Sequence, residues 1–133
     1  MKPTPFNEQT DRAPIPFTQS ICETGQQMKQ KGLTWQPHAG CFVWDAHGNI
    51  TVPSPFPLNI YFILNLGHFL KIFETVQNLT DKLVWLPTEH QALRICQEFS
   101  VSENKISDTL AGISDRSNDA LLIALYRLII ENL

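Results

Sequence analysis

Four side chains that could bind a metal or carry out nucleophilic chemistry lie close together in the first half of the chain. They are His38, Cys41, Asp45 and His47. Histidine, cysteine and aspartate are typical zinc ligands, and a cysteine beside an imidazole can form a reactive thiolate. On a strand, however, Cys41 and Asp45 would lie about 13 Å apart, which is too far for one metal ion without a bend. A buried, inert Cys41 and a solvated His47 in a turn account for the same residues, so we predict no catalytic residue, no metal and no cofactor.

Aromatic side chains around this segment could instead line a ligand pocket. Trp35, Trp44 and Trp85 each combine a large apolar ring with an N–H donor. Trp44 and Phe42 alternate along a predicted strand and share one of its faces, which either lines a pocket or packs against helices. The candidate pocket consists of seven residues: Trp35, His38, Cys41, Trp44, Asp45, His47 and Tyr61.

Residues 95–112 resemble the helix-turn-helix motif of bacterial repressors. Cys96 is small enough for a close helix crossing, Ser100 stands where the turn usually has glycine, and Val101 follows it as an apolar corner residue. A left-handed backbone at Ser100 would cost more than it costs a glycine. Apolar residues from both helices could fill the angle between them, namely Ile95, Phe99 and Ile106.

The face of the second helix that would enter the DNA groove has an unfavourable charge. Lys105 is the only basic residue between positions 102 and 112, whereas phosphate contacts supply much of the affinity of such proteins for DNA. We therefore interpret residues 95–112 as two helices packed in a core, and keep a DNA-binding regulator as an alternative. In that alternative the DNA-binding residues are Ser102, Glu103, Asn104, Lys105, Ser107 and Asp108.

Length and composition predict one globular domain over residues 18–133, preceded by a proline-bearing extended or mobile arm at residues 1–17. The chain has 133 residues and a formal net charge of −3, which gives no general attraction to nucleic acid or anionic lipid. An odd number of cysteines, three in all, and a start without an apolar stretch favour free thiols and a cytoplasmic protein. The most apolar window, residues 56–73, contains Asn65 and Lys71 and is interpreted as core, so no membrane partner is expected.

The pattern of apolar, turn and capping residues predicts an α+β fold. A small antiparallel hairpin sheet packs against four to five helices, and the C-terminal half is helical. Helices are predicted over 18–31, from the cap Asn65 to Phe73, from the capping-box residue Thr88 to about Phe99, from Ser102 to Gly112, and from Ser117 or Asn118 to the end. The hairpin is predicted to pair residues 40–45 with 50–52 around a turn at 46–49. Residues 59–64 fit either a buried strand or the start of a helix, and their β-branched and aromatic content favours the strand. Residues 83–86 fit a short apolar connection or an edge strand.

The last helix is the most informative element for quaternary structure. Residues 120–133 are apolar on most sides, which is typical of a helix at the centre of a core or shared with a second subunit. A homo-oligomer through this helix is therefore possible. The preferred function is a non-catalytic cytoplasmic interaction or regulatory module with an unidentified protein partner. The alternatives are the DNA-binding regulator and a small enzyme or ligand-binding protein centred on residues 38–61.

Overall fold

The computed structural model describes residues 17–113 and 120–133. Within these ranges the chain forms an α+β fold with a three-stranded antiparallel sheet, as predicted. The helices are α1 (Gln19–Gln30), α2 (Leu66–Phe73), α3 (Val76–Lys82), α4 (Glu89–Glu98), α5 (Glu103–Ala111) and α6 (Ala120–Glu131), and the strands are β1 (Phe42–Trp44), β2 (Ile60–Phe62) and β3 (Val84–Leu86). The predicted arm covers residues 1–17. Of these, the structure describes only Phe17, which is buried. The predicted start of the last helix at Ser117 or Asn118 also lies outside the described residues.

The predicted helix starts are confirmed by side-chain caps. The Asn65 side chain accepts a hydrogen bond from the Gly67 amide at 2.9 Å at the start of α2. Thr88 and Gln91 form a complete capping box at the start of α4. The Ser102 side chain caps α5 by accepting a hydrogen bond from the Lys105 amide in the first turn of that helix. Each cap satisfies amide donors that have no partner within the first turn of a helix. Helix α3, which the sequence pattern did not predict, follows a break in the backbone at Glu74, where φ is 72°.

The predicted hairpin is wrong in its second strand. In the sheet order β2-β1-β3, β1 pairs with residues 60–62 and not with residues 50–52. The reason lies at Asp45, whose buried carboxylate accepts hydrogen bonds from the Asn49 amide at 3.0 Å and the Ile50 amide at 2.8 Å. These donors are used by a side chain, so the segment turns away instead of pairing with β1. The predicted strands at 59–64 and 83–86 are confirmed as β2 and β3.

Helices cover both faces of the sheet, and each face has its own core. Alternate side chains of a strand point to opposite faces, so Phe42 and Trp44 lie on one face while Val43 lies on the other. We call the first the larger core, because it contains buried residues of α1, α4, α5 and α6. The second, the smaller core, is formed with Phe73 of α2 and Leu79 of α3.

Helix α6 lies at the centre of the larger core. It packs against α1, α4 and α5, and Leu125, Tyr126 and Ile129 are fully buried. The Tyr126 hydroxyl donates a hydrogen bond to the Pro87 carbonyl at 2.6 Å, so the polar end of this side chain is satisfied inside the core. Burial of most of its apolar residues explains why the helix is apolar on nearly every side.

The most apolar window of the sequence is divided between several elements. Residues 56–73 form a single 3-10 turn at Pro57–Asn59, then β2 and α2. Among the residues that the structure describes, no helix has both the length and the apolar character needed to cross a lipid bilayer.

Candidate functional site

A groove of about 740 Å³ opens beside β3, one of the two outer strands of the sheet. We call it the Trp groove. Its walls come from the loop at residues 31–38, from β3, from α4 and from the end of α6. Its volume falls within the range of roughly 300–1,000 Å³ that is usual for ligand sites. The side chains that give it chemical character are Lys31, Trp35, His38, Trp85, Arg94, Glu98 and Phe99.

Two tryptophans stack against each other in the Trp groove. The ring centroids of Trp35 and Trp85 are 5.8 Å apart and the ring planes differ by 13°. The offset between such nearly parallel rings is a favourable arrangement of aromatic quadrupoles. Trp85 reaches the groove because its neighbours Val84 and Leu86 point into the larger core, which leaves the indole on the opposite face of the strand.

The end of α1 directs the chain toward Trp35. Gly32 follows the helix with a φ of 103°, a left-handed value that favours glycine at this position. The Gly32 amide donates to the Lys29 carbonyl and the Leu33 amide donates to the Met28 carbonyl, both at 3.0 Å. This pair of hydrogen bonds is a Schellman motif, which ends the helix and reverses the chain. The loop that carries Trp35 is therefore anchored to the helix.

Close packing of α1 on β3 fixes the position of Trp85. A Cβ atom placed on Gly25 would lie 2.9 Å from Leu86 Cδ2 and 3.4 Å from the Trp85 carbonyl oxygen, so any larger residue would force the Leu86 side chain to shift. Lys29 holds the next turn of α1 through its Nζ, which donates to the Asp81 and Leu83 carbonyls just before β3. Burial lowers the pKa of Lys29, and the Asp81 carboxylate partly opposes that shift.

The opposite wall of the Trp groove ends at an exposed aromatic ring. Phe99 follows the last residue of α4 and is 38% exposed. Ser100 has a φ of 61°, and the Val101 amide donates to the Cys96 carbonyl at 3.0 Å. Ser100 therefore adopts the left-handed backbone that costs a serine more than a glycine, and this turn brings Phe99 to the rim of the groove.

Two hydrogen-bond donors in the Trp groove have no acceptor among the residues that the structure describes. The indole Nε1 of Trp85 is buried and lacks a hydrogen-bond partner there. Arg94 is exposed on α4, and in the same part of the chain its guanidinium forms no ion pair, not even with Glu98 one turn later. A buried donor without an acceptor costs about 1–3 kcal/mol. The exposed Arg94 guanidinium is therefore available to an occupant that brings acceptor atoms, whereas the Trp85 Nε1 is closed off from solvent.

The structure brings together only part of the predicted ligand pocket. Trp35 and His38 both line the Trp groove. Trp44 lies on the opposite face of the sheet, against the larger core. His47 is exposed in the loop after β1.

The other three predicted pocket residues belong to the smaller core. Cys41 and Tyr61 are buried there, and the buried Asp45 holds the loop after β1. The Tyr61 hydroxyl donates to the Val52 carbonyl at 2.6 Å. Burial raises the pKa of Tyr61, and the nearby Asp45 carboxylate raises it further. These side chains hold the fold and do not face a cavity with His38.

The cysteines have the environment of inert thiols. Cys22, Cys41 and Cys96 are free and buried. Burial raises the pKa of all three thiols, that of Cys22 to about 12. A thiolate is the nucleophilic form of cysteine, and this environment disfavours it. Over residues 17–113 and 120–133, no three side chains of His, Cys, Asp or Glu converge as a metal site would require.

Helices α4 and α5 lie where the helix-turn-helix interpretation placed them, but their packing serves the core. Ile106 of α5 is buried in the larger core, and α5 packs against α6. All six residues of the DNA-binding alternative are exposed: Ser102, Glu103, Asn104, Lys105, Ser107 and Asp108. Ser102 also caps α5 through the Lys105 amide at 3.1 Å.

Most residues of the Trp groove escaped the sequence analysis because they come from distant parts of the chain. Of the lining residues, Trp35 and Trp85 were singled out through their combination of apolar ring and N–H donor, and His38 as a possible ligand or base. Arg94 and Phe99 gave no comparable signal, since an exposed arginine and an apolar helix residue are common. No protein-family model, curated protein or solved structure matches the chain. The functional assignment therefore depends on the geometry and chemistry of the Trp groove.

Proposed function

We propose that this protein is a non-catalytic interaction module that binds its ligand or partner in the Trp groove. The observation that carries the proposal is the stacked pair Trp35 and Trp85 in a groove of about 740 Å³, with Phe99 exposed at the rim. Tryptophan supplies large contact area with little loss of side-chain freedom, and such rings are enriched in binding sites. A regulatory role would follow from the ligand that occupies the groove.

The chemistry of the polar side chains supports binding over catalysis. The raised pKa values of the buried thiols disfavour a cysteine nucleophile. His38 Nδ1 lies 2.8 Å from the carbonyl oxygen of Ala39, so this ring is engaged with the backbone. The three free thiols also support a reducing compartment, and we propose a cytoplasmic location.

The test is a screen of small aromatic compounds by two-dimensional NMR of the ¹⁵N-labelled protein. Compounds that bind with a Kd of about 1 mM correspond to roughly 4 kcal/mol and are within the reach of this method. We expect the shifted amide and indole signals to cluster at the Trp groove. The indole of Trp44 serves as an internal control, because it packs against the larger core. Compounds that shift only signals remote from Trp35 and Arg94, or a complete lack of binding, would refute the proposal.

Self-association through α6 has less support than ligand binding. Five of the apolar residues of the helix are buried within the chain: Leu122, Leu125, Tyr126, Leu128 and Ile129. Leu121 remains 41% exposed and is the position at which a second copy would be detected. Light scattering of the wild type and Leu121→Asp separates the cases, since only an interface at α6 makes the molar mass depend on this residue.

A further inference from the structure

We infer that the Trp groove binds a planar aromatic anion, with its ring against the tryptophan pair and its carboxylate at Arg94. The inference rests on the proposed binding function and adds the chemical class of the ligand. Two observations carry it, and they concern the aromatic walls of the groove and the exposed cations that line it.

The aromatic half of the ligand matches the walls of the groove. Trp35 and Trp85 present nearly parallel rings, and both are only half-buried. Apolar side chains of Leu33 and Ile95 also line the site. Flat rings stack on such surfaces in an offset manner, whereas a flexible aliphatic chain would lose rotational freedom and gain no stacking.

The anionic half of the ligand matches the cations of the groove. The Arg94 guanidinium lacks an ion pair among the described residues, and Lys31 stands on the facing loop. A guanidinium presents two parallel donors that fit the two oxygens of a carboxylate. Among the described residues that line the groove, Glu98 has the one carboxylate side chain, whereas Lys31 and Arg94 are both cationic. The excess of positive side chains would repel an organic cation.

The donor chemistry of the exposed cations limits the ligand in the same way. Arginine and lysine side chains are donors only, and both Arg94 and Lys31 are exposed in the lining of the groove. A ligand that complements Arg94 and Lys31 must therefore bring acceptor oxygens. The Trp85 Nε1 is buried and takes no part in this recognition.

The experiment compares three probes that share one ring. They are indole-3-acetate, indole-3-acetamide and tryptamine, which carry a negative charge, no charge and a positive charge at neutral pH. Affinities are measured by NMR titration at low and high salt. We expect the acetate to bind about tenfold more tightly than the acetamide, because charge-assisted hydrogen bonds are roughly twice as strong as neutral ones. Tryptamine should bind most weakly, and added salt should narrow the differences.

Three variants assign the contributions to residues. Arg94→Gln, at an exposed position, should reduce the affinity for indole-3-acetate to the level of the affinity for indole-3-acetamide. The affinity for indole-3-acetamide itself should not change. Trp35→Leu should weaken the binding of all three probes. The control is Arg127→Gln, because Arg127 lines a separate crevice between α5 and α6 and should not affect any probe.

The outcomes separate this inference from the proposed function. Equal binding of the three probes, with loss of all three in Trp35→Leu, would overturn the inference and leave the groove as a binding site. Tightest binding by tryptamine would also overturn the inference, because the groove would then select a cation through the Glu98 carboxylate. If no probe shifts the groove signals, both proposals fail. Arg94→Gln alone decides the charge question if Trp35→Leu does not fold.

Discussion

Replacing Gly25 by alanine tests the packing that places Trp85 in the groove. The new Cβ atom would lie 2.9 Å from Leu86 Cδ2, and Leu86 is fully buried and cannot move aside without disturbing the larger core. Overpacking of this kind costs about 1–3 kcal/mol, and we expect the upper half of that range because the Trp85 carbonyl oxygen is also only 3.4 Å away. Alanine recovers about 1 kcal/mol of helix propensity. The net expectation is a loss of about 1–2 kcal/mol in the free energy of unfolding.

The assay is urea unfolding followed by tryptophan fluorescence, with a matched glycine as control. Gly112 follows α5 with a φ of −76°, and a Cβ atom there would be 3.5 Å from the nearest atom, the Asp108 carbonyl oxygen. Gly112→Ala should therefore be neutral or stabilise the protein by up to about 1 kcal/mol. The reasoning would be refuted if Gly25→Ala were as stable as the wild type, because α1 and β3 could then not be in the contact described.

Four further predictions concern the loop after β1, the reactivity of the thiols, the dependence of stability on pH and the binding of DNA. Asp45→Ala should lower the free energy of unfolding by about 2–3 kcal/mol, because the Asn49 and Ile50 amides lose their acceptor; a loss below about 0.5 kcal/mol in urea unfolding would contradict this. The native protein should react with a thiol reagent at pH 8 only as it unfolds, and rapid labelling of the native state would show that the thiols are not buried as described. Burial holds the pKa of Cys22 at about 12 against an ordinary 9.0, so the unfolded state releases this proton first and stability should fall as the pH rises above about 9. A random-sequence DNA pool should yield no selected site between about 50 and 200 mM salt; a site that survives the higher salt and is lost in Asn104→Ala would establish the helix-turn-helix alternative.

The parts of the fold that depend on short-range chemistry could be predicted from the sequence. Caps at Asn65, Thr88 and Ser102 involve side chains within one turn of the amides that they satisfy. The positive φ of Gly32 after α1 depends on local chemistry in the same way, because glycine is the residue that most easily ends a helix in this conformation. These features need no knowledge of the rest of the chain.

The parts that depend on contacts across the chain could not be predicted. The partner of β1 was misassigned because the effect of the Asp45 carboxylate on the loop is visible only when the side chain is seen to be buried. The candidate site was recovered in part, since the tryptophans were singled out, but the pairing of Trp35 with Trp85 arises from the sheet and from α1. Arg94 joins them only through the packing of α4 against α6.

The most direct measurement of the central claim is the set of intermolecular nuclear Overhauser effects between bound indole-3-acetate and the protein. The account predicts contacts from the ring protons of the probe to Trp35 and Phe99, which both line the Trp groove. Contacts confined to another surface, such as the crevice at Ile123 between α5 and α6, would contradict the claim that the Trp groove is the binding site.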